Sequence, residues 1–362
     1  MNRKAFIPPR HNAVFHNNII HPMLWLWDSW TTTCGSVTDL YCLALARKTL
    51  DGIPITPSQR NLFKFHVRHF RSKDAGATWV DKGCIFEPNL SGDGAFERNV
   101  WSGSSLDLPD GRRLHALTGL RERGPDHTFL QTIFLAVAHS SDSRPSPEPK
   151  ALLCPDRDYQ RIRAAGYYLP FRSDLGANEG ELGGPILAWR DPFLMTPRSG
   201  DVEIIWSAKV SPKTPAIGHA KIIEDSNGTW RVSELYNPIL LPDANLMTQA
   251  EVPKIYWDTH HRKYYLLISA CDRQSESQPE VEVTKVLRFY TSDAPYGPWR
   301  PWSKDGSALT SIKYVFGASV INLDVEANTI KLITPLTEYA PPDLQLTIAP
   351  VITVEIGDIP RP

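Results

Sequence analysis

Short stretches of alternating apolar and polar residues recur along the chain, each closed by a cluster of Gly, Pro, Asn, Asp or Ser. Such a period of two, punctuated by turn formers, is the mark of β-strands joined by tight connections. It predicts strands at residues 77–80, 113–118, 128–138, 202–208, 217–223, 263–269, 286–291, 318–323, 329–335 and 348–356. Two stretches read as helical instead, Val37–Ala46 and 159–165. The 31 prolines and 22 glycines are spread evenly, which argues against long helices. No exact short repeat is present, yet the recurrence of polar turns suits the blades of a propeller or a large sandwich. No stretch has the composition of a linker, and the expectation is a single domain over residues 1–362.

Composition narrows the function classes. Lys plus Arg number 39 and Asp plus Glu 40, a net charge of −1, so there is no electrostatic footprint for nucleic acid. No run of 18 apolar residues is available to span a bilayer, and residues 1–9 lack the apolar core of a secretory signal. These features predict a soluble cytoplasmic protein, or a secreted one if a leader precedes the residues given. Five cysteines, at 34, 42, 84, 154 and 271, are odd in number and widely spaced with no CxxC pair, so neither a disulfide framework nor a zinc site is expected. His21, His260 and His261 read as surface or capping residues, because no third ligand is spaced to complete a metal site. No cofactor is expected. Eleven tryptophans are a generous supply of the flat faces on which sugar C–H surfaces stack.

Three carboxylates stand in unusual settings. Asp28 lies among Trp25, Trp27 and Trp30 in the segment His21-Pro22-Met23-Leu24-Trp25-Leu26-Trp27-Asp28-Ser29-Trp30. Strand alternation places Leu24, Leu26 and Asp28 on one face and Trp25, Trp27 and Ser29 on the other. A carboxylate there is either a turn cap or an acid held for chemistry, because an unpaired buried one protonates. Asp191 follows Arg190 and precedes Pro192, which restricts its backbone and puts a cation beside it. Glu251 opens an apolar strand on the same pleat face as Gln249, while Lys254 is expected on the opposite face without a catalytic part. Two carboxylates acting as nucleophile and acid/base, with a third to orient hydroxyls, are what glycoside hydrolysis requires.

The order of these segments resembles glycoside hydrolase family 68, the levansucrases, inulosucrases and bacterial β-fructofuranosidases. Trp27-Asp28-Ser29-Trp30 is similar to the family's WDSW motif, Arg190-Asp191-Pro192 to its RDP motif, and Glu251-Val252-Pro253 stands where its ERP motif stands. Trp101-Ser102-Gly103-Ser104 resembles the WSGS motif, Lys263-Tyr264-Tyr265-Leu266 a KYYLF strand, and residues 292–301 and 346–350 two later segments. Agreement runs over roughly residues 20–357. Shared order across several motifs is more specific than any one of them.

The resemblance implies an all-β, five-bladed β-propeller with the active site in its central cavity. It further implies a retaining reaction on sucrose or a fructo-oligosaccharide through a covalent fructosyl-enzyme, with hydrolysis favoured over polymer synthesis. Asp28 would be the nucleophile, Glu251 the acid/base and Asp191 the transition-state stabiliser. Trp27, Trp101, Ser102, Arg190, Gln249 and Tyr314 would shape the subsites. Two departures stand out: Val252 replaces the arginine after the acid/base, and Cys271 falls where family members place Arg or His for the glucosyl unit. The rival readings are an invertase-like or arabinanase-like propeller glycosidase and a sugar-binding propeller without turnover. Trp299 and Trp302 read as packing residues within a blade.

Overall fold

A computed structural model of the chain describes residues 6–88, 98–122, 129–146, 149–176, 186–197, 199–275, 278–312, 315–324, 326–327, 329–337 and 345–355. Most strands pair antiparallel with the strand next in sequence, so the chain builds one meandering sheet after another. The first sheet runs outward from Leu24–Cys34 through Val37–Ala46, His66–Ser72 and Thr78–Phe86, with Val14–His16 added at its outer edge. The second comprises Asn99–Asp107, Arg113–Arg121, Leu130–Ala138 and Lys150–Leu153; the third Arg190–Met195, Val202–Ser211, Thr214–Glu224 and Trp230–Leu235. The fourth comprises Gln249–Asp258, Lys263–Cys271, Lys285–Ser292 and Arg300–Pro301, and the fifth Ser319–Asp324, Thr329–Ile333 and Ile352–Glu355. The first strands of neighbouring sheets touch around a common axis, with the strand from Leu24 meeting those from Asn99 and Ser319. The five sheets are the blades of a β-propeller, and their first strands line its centre.

Apolar side chains fill the seams between blades. Trp189 and Trp206 of blade III pack with Leu114, Leu130 and Ile133 of blade II, all essentially without solvent exposure. Such contacts contribute roughly 1.5–3 kcal/mol for each large buried side chain. The ring is closed by the C-terminal region: Pro335–Leu336 pairs with Thr347–Ile348, Ile348 bridges to Ile19, and Leu26 N–H donates to the Leu346 carbonyl at 2.9 Å.

Val37–Ala46 is a strand, not the helix expected. It is the second strand of blade I, paired on both edges, and nine of its ten side chains are buried. A strand covered on both faces has no polar alternation, and its Leu and Ala residues are as compatible with a helix until partners on either edge decide the matter. The helix expected at 159–165 is present as Tyr159–Ala164. Among the described residues no helix is long and apolar enough to cross a membrane, and no group of three or more His, Cys, Asp or Glu side chains is placed to hold a metal ion.

Candidate active site

All five innermost strands are irregular at one point. Each gains one residue relative to the strand beside it, between Trp27 and Ser29, Trp101 and Gly103, Arg190 and Phe193, Glu251 and Lys254, and Val320 and Asn322. A bulge of this kind turns one side chain out of the regular pleat. Asp28 is itself the extra residue of blade I, with Trp27 and Ser29 buried on either side of it. The simple alternation expected for residues 24–29 therefore stops at Trp27, and the acid is aimed towards the axis by the bulge. The same device in blade II leaves Ser102 as the extra residue, and Gly103 follows because a Cβ there would lie 1.9 Å from the Ala116 carbonyl oxygen. Asp191 and Val252 have φ of 58° and 50°, and Asp28 21°. Left-handed backbone at residues with a Cβ is strained, and it persists where the surroundings hold it.

Those surroundings are specific. Asp191 is 5% exposed and takes partners from two neighbouring blades. Ser102 Oγ donates to its Oδ1 at 2.5 Å, Val252 N–H donates to its Oδ2 at 3.1 Å, and its own N–H donates to Thr118 Oγ1 at 2.8 Å. Arg190 is the cationic hub. Its Nη1 donates to the Leu187 carbonyl at 2.8 Å and its Nη2 to Gln249 Oε1 at 3.2 Å and Glu251 Oε1 at 3.1 Å, while Nε lies 3.7 Å from Asp191 Oδ2. A guanidinium only donates, so these bonds fix the orientation of the Gln249 amide and leave Nε2 without a protein partner among the described residues. Gln249 and Glu251 thus share a pleat face, as expected.

The carboxylates feel one another. Burial, then the negative charges of Asp191 and Glu251, push the Asp28 carboxyl up to about 7, against the weaker pull of Arg60 and Lys254. Burial also raises Asp191, with Glu251 adding to the rise while Arg190 and the hydrogen bonds from Ser102 and Val252 oppose it. Three acids from the innermost strands of blades I, III and IV therefore lie near enough to act on one another's charge, and Asp28, Glu251 and Trp101 are each partly exposed. One carboxyl that resists ionisation, set beside a 20% exposed Glu251 anchored by Arg190, forms a pair with distinct environments.

Among solved structures the chain is similar to an inulosucrase from Halalkalicoccus jeotgali bound to kestose, with a TM-score of 0.66 and 19% identity over 98% of this chain and 89% of that one. It is similar to Bacillus subtilis levansucrase at a TM-score of 0.63 and 16% identity, covering 93% of this chain and 85% of the other. A B. megaterium levansucrase mutant gives 0.60 and 13%, covering 92% and 83%. The fold is the levansucrase fold. No protein-family model and no curated protein sequence matches the chain.

Within this levansucrase-type propeller the tryptophans around Asp28 act as anchors. Trp30 is buried and donates to Ser105 Oγ of blade II at 3.0 Å; Trp25 donates to the Ile55 carbonyl at 2.7 Å under the Arg47 guanidinium. Trp27, 5% exposed, stands edge-on to Phe65 at 4.7 Å. Trp101 packs edge-on against Phe129 at 5.3 Å and is partly exposed. Tyr314 lies outside the described residues. At the two departures, the cation on Glu251 comes from Arg190, and Val252 contributes its backbone N–H to Asp191. Cys271 Sγ lies 3.8 Å from Glu251 Oε1, its thiol pushed up to about 12 by burial.

Two corrections concern basic residues. Lys254 was expected to face away from the site, yet its Nζ reaches the Ser29 carbonyl directly behind Asp28 at 3.1 Å, because the bulge after Glu251 shifts the pleat by one residue. His21 is fully buried, 3.6 Å from Asp81, although its Nδ1 does cap the Met23 N–H. Sequence reasoning also missed Thr118 and Ser269. Neither belongs to a distinctive motif, and both act through one hydroxyl in the second strand of a blade.

Proposed function

We propose that this protein cleaves β-fructofuranosides such as sucrose with retention of configuration. In this reading Asp28 attacks the anomeric C2 of the fructosyl unit and Glu251 protonates the departing oxygen. A covalent fructosyl-enzyme forms, and Glu251 then activates water to release it. Asp191 accepts hydrogen bonds from fructosyl hydroxyls and offsets positive charge as it develops on the ring. Ser102, Arg190 and Gln249 set the acids' positions, and Trp101 offers its exposed face to the sugar. What supports the reading is that Asp28, Asp191 and Glu251, each at or beside a bulge in a levansucrase-type propeller, stand near enough to act on one another's charge.

Arg190 and two hydrogen-bond donors oppose the upward push of burial on Asp191 and favour the negative charge this role needs opposite an oxocarbenium-like centre. Asp28 must shed its proton to attack, so cleavage falls as pH drops below about 7. In this reading the fructosyl-enzyme passes its sugar to water more often than to a growing chain. The test is product analysis after incubation with sucrose, with Asp28→Asn and Glu251→Gln as controls. Equal free glucose and fructose from wild type alone establish hydrolysis, and excess glucose establishes fructosyl transfer. No release from sucrose, or release from aryl arabinofuranosides in its place, overturns the donor assignment.

A further inference from the structure

An ammonium group taken out of water is costly unless oxygen atoms replace its hydration shell. Lys254, on the innermost strand of blade IV, is 1% exposed. Its Nζ donates to the carbonyls of Ser29 at 3.1 Å, Gly317 at 3.2 Å and Ala318 at 2.7 Å, and lies 2.8 Å from Ser319 Oγ. Three of these four atoms can only accept. A neutral amine would turn its lone pair towards oxygen, so the cage selects the three-proton ammonium.

The partners are the backbone around Asp28. Ser29 is the next residue in the blade I strand. Gly317, at φ +73°, lies beside Asp28: a Cβ there would make ordinary contact, 3.8 Å, with both Cα and Oδ1 of Asp28. Its N–H is held in turn by Ser269 Oγ at 2.8 Å. Lys254 therefore ties blade IV to blades I and V directly behind the bulge that carries the acid.

We propose that Lys254 is a positioning residue for Asp28: its ammonium pins the Ser29 and Gly317 carbonyls that frame the carboxylate and supplies a positive charge that favours its ionised form. The proposal rests on the assignment of Asp28 as nucleophile. The other charged groups facing Asp28 are Asp191 of blade III and Glu251 of blade IV, which favour the protonated acid, and Arg60 of the 57–62 turn, which favours the carboxylate. Lys254 faces Asp28 and Asp191; burial pulls its ammonium down to about 7 while those carboxylates resist. A neighbour of opposite charge commonly moves a carboxyl by about one to three pH units, and misplacing a reacting group by about an ångström can cost about 100-fold in rate.

Two variants separate position from charge. Lys254→Gln keeps N–H donors for the carbonyls without the charge, and Lys254→Met keeps neither. Expected for both is a KM for sucrose within about threefold of wild type and an acid limb of kcat/KM displaced upward by about one pH unit or more. The fall in kcat should approach about 100-fold for Met and be smaller for Gln. A lowered melting temperature with the acid limb unmoved would leave Lys254 a purely structural bolt and overturn the proposal. A second measurement needs no turnover. The Asp28 carboxyl of the wild-type protein is titrated by carbon-13 NMR and the Lys254 ammonium by nitrogen-15 NMR, each resonance identified by its absence from the matching variant or from Asp28→Asn. The ammonium signal should step with the Asp28 titration and lose that step in Asp28→Asn, and independent titration overturns the proposal. Coupling without sucrose cleavage would refute the functional reading and leave the Lys254 arrangement standing; cleavage without coupling would do the reverse.

Discussion

Asp28→Asn should abolish cleavage and at the same time stabilise the folded protein, by an amount that depends on pH in a defined direction. In the unfolded chain Asp28 ionises near 3.8, and in the folded protein near 7. Below about pH 4 the group is protonated in both states and contributes no difference. As pH rises the unfolded chain releases its proton first, so stability falls steadily between about 4 and 7; above about 7 the full penalty remains. That interval corresponds to ~4 kcal/mol at 1.36 kcal/mol per pH unit. Two features reduce the gain from removing the charge: the Asp28 side chain is partly exposed, and Lys254 loses an opposing charge. About half should survive, roughly 2 kcal/mol, which is on the order of 2–6 °C in melting temperature. Melting curves of wild type and Asp28→Asn from about pH 4 to 8 measure it. The reasoning predicts curves that coincide at the acid end and separate towards neutrality, with the variant higher. A variant less stable than wild type at about pH 8, or a gap that does not change with pH, would refute the claim that the folded protein holds this carboxylate against its preference.

Ser102→Ala removes the 2.5 Å donor to Asp191 without touching the other two acids, and loss of a hydrogen bond to a charged group costs about 1.5–3 kcal/mol. Steady-state kinetics should record a drop of about 10- to 100-fold in kcat/KM with the fold intact, and a change under threefold would mean that Asp191 does not depend on this contact. Cys34 is exposed, whereas Cys42, Cys84, Cys154 and Cys271 are buried with their thiols pushed upward. A thiol reagent added to the native protein should therefore consume about one equivalent promptly and the rest only on unfolding. Prompt labelling at Cys271 would show that reagent reaches the wall of the site beside Glu251.

What could be read before the fold was known follows from which signals are local. The acids were legible because each stands in an unusual immediate context, Asp28 among tryptophans, Asp191 between Arg and Pro, Glu251 at the head of an apolar strand. Turn chemistry marked many of the strands, but their ends moved once partners were in place: the expected 113–118 lengthened to Arg113–Arg121, and 348–356 shortened to Ile352–Glu355. Val37–Ala46 was misread because its state is decided by hydrogen bonds to strands on both edges, which no window of ten residues contains. Lys254 was misread for a geometrical reason: counting alternate residues from Glu251 assumes an unbroken pleat, and the extra residue at Val252–Pro253 inverts the parity beyond it. Thr118, Ser269 and Ser319 left no trace at all, since a serine or threonine in a strand is ordinary until its neighbour across a seam is an acid, a strained amide or an ammonium.

The bulges explain how a propeller of this kind can hold acids at its axis. In a regular innermost strand, neighbouring side chains point to opposite faces of the blade, and both faces are packed against adjoining blades. An acid on either face would sit in an apolar seam. One extra residue opens a third direction: Trp27 and Ser29 stay buried while Asp28 between them turns out of the pleat. The cost is left-handed backbone at Asp191 and Val252, of order 1–3 kcal/mol at each. The compensating contacts come from other blades: Thr118 accepts the Asp191 N–H, Asp191 accepts the Val252 N–H, and Lys254 gathers the carbonyls behind Asp28. Each strained residue is therefore held by a neighbour that is itself part of the site, so the acids are positioned as a set, and loosening one blade's contribution should be felt at the carboxylates of the others.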